Sequence, residues 1–220
     1  MLRAVIFDMD GVIVDSEPIH LFAEKSLLAK FGISVTDEEI QSYMGKSLRF
    51  LLKNFIDRYH LNTSVEKLYA VQQKTLFELY DEKAELLPGL LDLLKILKDD
   101  HIDMAVASSS SRALISLVLK KFHLSPYLKV IVSGEEVKKP KPNPDIFLET
   151  VSKLGYHPSE CVVIEDSTAG VQAAKSAGTA CVGFRSPHSG NQDLKIADII
   201  VDDLSSLNIQ KLKALMYEIK

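Results

Sequence analysis

Long hydrophobic runs are missing from this chain. No apolar stretch approaches the roughly 18 residues needed to cross a bilayer, which argues against a membrane-spanning role. Cysteine is scarce: Cys161 and Cys181 stand alone, each inside an apolar segment and without metal-site spacing. They read as buried thiols in a reducing, cytoplasmic setting rather than as a disulfide. A basic surplus is also absent. The net charge of −4 and pI near 5.9 argue against nucleic acid or an anionic membrane as the main partner. The first residues begin a core strand at once, which leaves no place for a signal peptide. There is no internal repeat and no low-complexity tract; four serines at 108–111 are too few to count. What the 220 residues do hold is 46% hydrophobic and 25% charged side chains. That is the balance of a soluble globular protein with enough chain to bury a core in one or two domains.

The most informative segment is Ala4-Val5-Ile6-Phe7-Asp8-Met9-Asp10-Gly11. Four apolar residues read as a buried strand. Side chains at i and i+2 of an extended backbone point the same way, so Asp8 and Asp10 project together from the strand's end. Crowded carboxylates repel each other and lose hydration. A divalent cation would offset that cost. Gly11 allows the sharp turn that follows. The plainer alternative is a strand that ends in a solvated acidic turn.

Residues 16 to about 82 carry helical signals only. Pro18 suits a first helical turn, followed by Ile19, Phe22, Leu27 and Phe31 on the expected apolar face, with Gly32 past the end. Thr36 and Glu39 have capping-box spacing. Ser47 is expected to cap a helix bearing Leu48, Leu51, Leu52, Phe55, Ile56 and Tyr59, and Ser64 another through Leu68, Leu76 and Leu79. From Leu86 the pattern changes. Strands are predicted at 102–107, 129–132, 161–165, 180–184 and 198–201, separated or followed by helices near 90–97, 112–122, 144–154, 168–177 and 208–219. Such alternation implies β-α-β crossovers and a parallel sheet. The first strand needs that sheet to bury its side chains. The predicted class is therefore α/β, a Rossmann-like parallel sheet in residues 1–15 plus 84–220, with an inserted all-helical domain at 16–83.

Ligands of open parallel sheets gather at the carboxyl ends of the strands. Asp8 and Asp10 follow the first strand. Ser108 to Ser111 and Arg112 follow the second. Lys138 to Asp145, rich in proline, follows the third, and Glu165-Asp166-Ser167 the fourth. An aspartate can attack phosphorus, and a second can move the proton. Hard oxygen ligands suit Mg²⁺. A hydroxyl and amides at a helix start can hold phosphoryl oxygens, and Lys141 can neutralise charge. Ser108 also reads as a simple helix cap, and Lys141 as a solvated loop charge.

The order Asp8-x-Asp10-Gly-Val, Ala-Ser108-Ser, Lys141-Pro-x-Pro-Asp and Glu165-Asp166-Ser-x-x-Gly170 resembles the haloacid dehalogenase-like phosphotransferases. The helical insert resembles the small cap of the branch that holds β-phosphoglucomutase and many sugar-phosphate phosphatases. The resemblance implies Asp8 as nucleophile and metal ligand, and Asp10 as general acid/base with its backbone carbonyl on the metal. It implies Ser108 and Lys141 as a phosphate clamp, Asp166 as a Mg²⁺ ligand, and Glu165 as a direct or water-mediated one. Ser109, Arg112, His20 and Lys74 are candidate substrate contacts, with Lys46 and Arg49 weaker ones. The mutases carry Gly-x-Ser-Arg in the cap; here Gly45-Lys46-Ser47-Leu48-Arg49 places leucine at the arginine position. Pro18 and Ser16 also resemble phosphatase members, whereas His20 is shared with mutases. The implied activity is Mg²⁺-dependent hydrolysis of a small phosphorylated metabolite, such as a sugar phosphate, through an aspartyl-phosphate. A mutase is the alternative. The implied partner is the phosphate ester alone, and the expected state a monomer.

Overall fold

The computed structural model describes residues 1–43 and 48–218. The chain divides into two compact units, 1–15 with 85–220, and 16–84. In chain order, β1 (Ala4–Phe7) precedes α1 (Glu17–Ala29), α2 (Asp37–Gln41), α3 (Leu48–Tyr59) and α4 (Val65–Lys83). Then come α5 (Leu90–Asp99), β2 (Asp103–Ser108), α6 (Arg112–Lys121), β3 (Val130–Ser133) and α7 (Asp145–Leu154). The chain continues through β4 (Cys161–Glu165), α8 (Thr168–Ala177), β5 (Ala180–Phe184), β6 (Ile199–Val201) and α9 (Ile209–Glu218).

The first unit is built on a six-stranded parallel sheet in the order β3-β2-β1-β4-β5-β6. Ala4 pairs with Asp103 on one side and Cys161 on the other, which makes β1 a central strand. Every residue of β1, β4 and β5 is buried, as expected of strands covered on both faces. On one face Ala4, Ile6, Ala105, Val163 and Cys181 pack with Phe147 and Val151 of α7 and Val171 and Ala174 of α8. Cys161 and Cys181 are buried free thiols in that layer, and burial pushes Cys161 up to about 12. Strand order reverses at β1: β2 and β3 build outward on one side, β4 to β6 on the other. The crevice at such a switch point is where this architecture takes ligands.

In the helical unit, Leu27, Leu28, Ile40, Leu51, Leu52, Phe55 and Leu68 form the core. Tyr43 meets Phe55 edge to face with ring centroids 5.4 Å apart. Thr36 accepts from the Glu39 N–H at 3.2 Å and Ser64 from the Lys67 N–H at 3.3 Å, so both cap their helices. The expected cap Ser47 lies outside the described residues. Phe22 and Phe31, expected on the apolar face, are exposed. Ile19, Ala23 and Leu27 form the buried stripe of α1, and Phe22, one residue before Ala23, is turned about 100° away from it. Lys83 Nζ lies 4.5 Å from the Phe22 ring centre.

Among the described residues, no helix is long and apolar enough to cross a membrane.

Candidate active site

Asp8 follows β1 directly, and its N–H still donates to the Ile164 carbonyl at 3.0 Å. The chain then turns tightly: the N–H groups of Ile13 and Val14 both donate to the Met9 carbonyl. Gly11 occupies this turn at φ +77°, and a Cβ there would lie 1.9 Å from Asp166 Oδ2. Glycine is therefore required twice over, by its backbone angle and by the carboxylate beside it.

The two aspartates take different partners. Asp8 is buried and accepts from Lys141 Nζ at 2.7 Å through Oδ1. Asp10 Oδ2 accepts from Ser110 Oγ at 2.7 Å and Ser108 Oγ at 3.3 Å. Ser108 is the last residue of β2, and the cap of α6 is Ser111, whose hydroxyl accepts from the Leu114 N–H. The helix-cap reading of Ser108 is thus replaced by a hydroxyl turned onto Asp10. Nothing in the sequence singles out Ser110 beyond its place in a run of serines.

Lys141 also donates to Glu165 Oε1 at 2.6 Å, with its side chain only 8% exposed. The solvated-loop reading of this lysine does not survive. Its pKa is raised: burial pulls it down, but Asp8 and Glu165 outweigh that. Burial pushes Asp8 up to about 7, Lys141 opposes that shift, and Glu165 and Asp10 add to it. The second oxygen of Glu165 accepts from the Ser167 N–H and hydroxyl at 2.8 and 2.9 Å. Ser167 in turn caps α8 by accepting from the Gly170 N–H at 3.0 Å. A Cβ at Gly170 would sit 1.7 Å from Glu165 Oε1, so the glycine of the fourth motif makes room for the carboxylate.

Asp166 is buried beside Gly11 and accepts from the Ser189 hydroxyl. Asp8, Asp10, Glu165 and Asp166 thus sit at the carboxyl ends of the adjacent strands β1 and β4. Among the described residues no three metal-ligating side chains are drawn to one point; the contacts above hold each carboxylate on a protein donor. The donor chemistry nevertheless fits a hard divalent cation. It is all oxygen, anionic and largely buried, and Asp8 is under the electrostatic stress that a cation would relieve.

The other candidates have contacts of their own outside these or are described within the helical unit. Arg112 is exposed, donates to the Ile131 carbonyl at 2.6 Å and pairs with Glu136 at 3.3 Å. Ser109 is exposed, with its backbone against Gly134. On α1, His20 Nε2 is 2.9 Å from the Tyr80 hydroxyl. Lys74 is an exposed residue of α4, 3.9 Å from Glu78. Arg49 lies over the Tyr69 ring at 4.1 Å and 3.6 Å from Glu66. Gly45 and Lys46 fall outside the described residues.

A family model described as "Haloacid dehalogenase-like hydrolase" matches residues 5–184. A protein of Thermotoga maritima named "Phosphorylated carbohydrates phosphatase" is 33% identical over 181 residues, covering 80% of this chain and 82% of its own length. The beta-phosphoglucomutase of Bacillus subtilis is 31% identical over 218 residues, covering 96% and 94%. The crystal structure of beta-phosphoglucomutase from Clostridium difficile matches with a TM-score of 0.85 at 28% identity, over 99% of this chain and 98% of its own.

Proposed function

We propose, from the premise that the chain belongs to the haloacid dehalogenase-like hydrolase family, that it is a phosphatase acting on a small phosphorylated metabolite, a sugar phosphate in the first instance. The observation that carries this reading is the Lys141 bridge between Asp8 and Glu165. A buried ammonium beside a buried aspartate favours that aspartate's ionised form against the burial that raises its pKa, close to where a phosphoryl group would enter.

The reaction follows from the side chains. An Asp8 oxygen attacks phosphorus as the bond to the leaving oxygen breaks, and an aspartyl-phosphate forms. Asp10 donates a proton to the leaving oxygen, oriented by Ser108 and Ser110. Asp10 then takes a proton from water, whose oxygen attacks phosphorus and frees Asp8. Lys141 and Ser108 offset charge on the transferring group. Family members generally use Mg²⁺. Here Asp8, Asp166 and the Asp10 carbonyl would hold it, with Glu165 direct or through water. Bound there, it would supply positive charge that draws two anions together. The helical unit is taken as the cap that sets specificity, with His20 and Lys74 as its candidate contacts. Two buried unpaired thiols support a cytoplasmic setting, and we take the monomer as the working state.

A mutase is the second reading, supported by the full-length similarity to beta-phosphoglucomutases. Against it stands Leu48 in place of the cap arginine, while Arg49 is engaged with Tyr69 and Glu66. The test is phosphate release from a panel of phosphorylated metabolites with Mg²⁺, run beside β-glucose 1-phosphate with a bisphosphate primer. Steady phosphate release, lost in Asp8→Asn, is expected. Isomerisation to glucose 6-phosphate with little release would overturn the hydrolase reading.

A further inference from the structure

The loop that follows β5, Arg185-Ser186-Pro187-His188-Ser189-Gly190-Asn191, is polar in sequence, and reads either as an edge of the site or as a plain connection. In the structure it is tied down along its length. Its backbone folds on itself, with the Ser189 N–H donating to the Ser186 carbonyl at 3.3 Å. His188 Nδ1 lies 2.8 Å from Asp15 Oδ2, which fastens the loop to the residue just after the β1 turn. Gln192 Oε1 accepts from the Thr168 N–H at 2.9 Å, and the Asp193 N–H donates to the Thr168 hydroxyl at 2.8 Å. Thr168 is two residues past Asp166. Between these anchors the Ser189 hydroxyl, 4% exposed, donates to Asp166 Oδ2.

We infer that Ser189 is a positioning residue for Asp166. It restrains the carboxylate through which a divalent cation would be held. This rests on the reading of Asp166 as a metal ligand.

The geometry explains why a fastening is needed. Asp166 is 7% exposed and forms one wall of a cavity of about 260 Å³, whose other walls include Arg185, Ser186, Ser189, Asn191 and Gln192. A carboxylate beside such polar space can turn toward water, and each alternative rotamer dilutes the binding pose. Gly11 admits the carboxylate on one side, but a glycine offers contact without direction. The Ser189 hydroxyl supplies a directed contact. Partners of metal-ligating side chains typically change metal affinity by about 10- to 100-fold when removed.

The experiment is calorimetric titration of Mg²⁺ into the full-length wild type, Ser189→Ala, Ser189→Thr and Asp166→Asn, with metal-free melting curves of each. Ser189→Ala is expected to weaken Mg²⁺ binding by about 10-fold at an almost unchanged melting point. Ser189→Thr, which keeps the hydroxyl and has the cavity for its methyl group, is expected to bind nearly as wild type. Wild-type affinity in Ser189→Ala alongside weakened binding in Asp166→Asn overturns the inference and leaves the metal site standing. Wild-type affinity in Asp166→Asn overturns the metal reading and the inference with it. A large fall in melting point in both Ser189 variants, with no rescue by threonine, overturns positioning in favour of a structural role.

Discussion

Lys141 Nζ stands 2.7 Å from Asp8 Oδ1, joining side chains 133 residues apart in sequence. The same ammonium reaches Glu165 at 2.6 Å. Three buried charges therefore depend on one another. Removing the lysine leaves two buried carboxylates facing each other without a cation. Breaking a buried pair from one side typically costs about 3–5 kcal/mol. Lys141→Met should lose stability on that scale in urea unfolding at pH 8, with Mg²⁺ restoring part of it. An unchanged midpoint would show that the bridge carries no stability.

Asp10 does its proposed work through a side chain that accepts from Ser108 and Ser110, while its expected metal contact is the backbone carbonyl. Asp10→Ala should therefore lower kcat by about 10²–10⁴-fold, the usual worth of general acid/base catalysis. Mg²⁺ affinity should hardly change. Normal turnover in this variant would exclude the proton-transfer role.

Chelation should abolish turnover, and added Mg²⁺ should restore it. Ca²⁺ should not, because it takes more ligands at longer distances and would misplace Asp8. Steady-state rates after EDTA treatment and back-titration decide the matter; full activity with EDTA present would remove the metal from the account.

Glu24, buried on α1, provides a pH signature outside the Asp8 cluster. Burial pushes its carboxyl up to about 7 from 4.5, with His20 lowering it and Glu17 raising it. A carboxyl whose folded pKa is raised binds a proton in the native state that the unfolded chain has lost. Between pH 4.5 and 7 the folded state holds more protons, so stability falls as pH rises through that window. A tenfold difference in proton affinity between the folded and unfolded chain is worth about 1.4 kcal/mol. Glu24→Gln should match wild type near pH 4 and be more stable by about 1–3 kcal/mol at pH 8. Parallel unfolding curves for both proteins across pH 4–8 would show whether Glu24 titrates normally instead.

The alternation of strand and helix was legible because every core strand is an apolar run: Ala4 to Phe7, Cys161 to Glu165 and Ala180 to Phe184 stand where their composition places them. Edges drifted. Strand β2 begins at Asp103 and keeps Ser108 as its last residue, since pairing of Ser108 with Ser133 extends the ladder beyond the apolar run. The clustering of the aspartates was legible because they sit in short motifs next to those strands. Ser110 and Ser189 were not. A serine hydroxyl has no pattern of its own, and the contact of Ser189 with Asp166 exists only because β5 lies beside β4. Phe22 failed for a different reason: a 3.6-residue period leaves two neighbouring positions on α1 competing for the inner face, and Ala23 took it.

The central place of β1 also sets an order of assembly during synthesis. Its neighbours are β2, which starts at Asp103, and β4, which starts at Cys161. At roughly 5–20 residues per second, the first strand waits about 5–20 s for a partner. The helical unit, contiguous over 16–84, is complete before that partner exists. Asp8 and Asp10 are thus made before the helical unit and enclosed after it. A nascent chain halted before residue 103 would carry a finished helical unit and an Asp8 with no site around it.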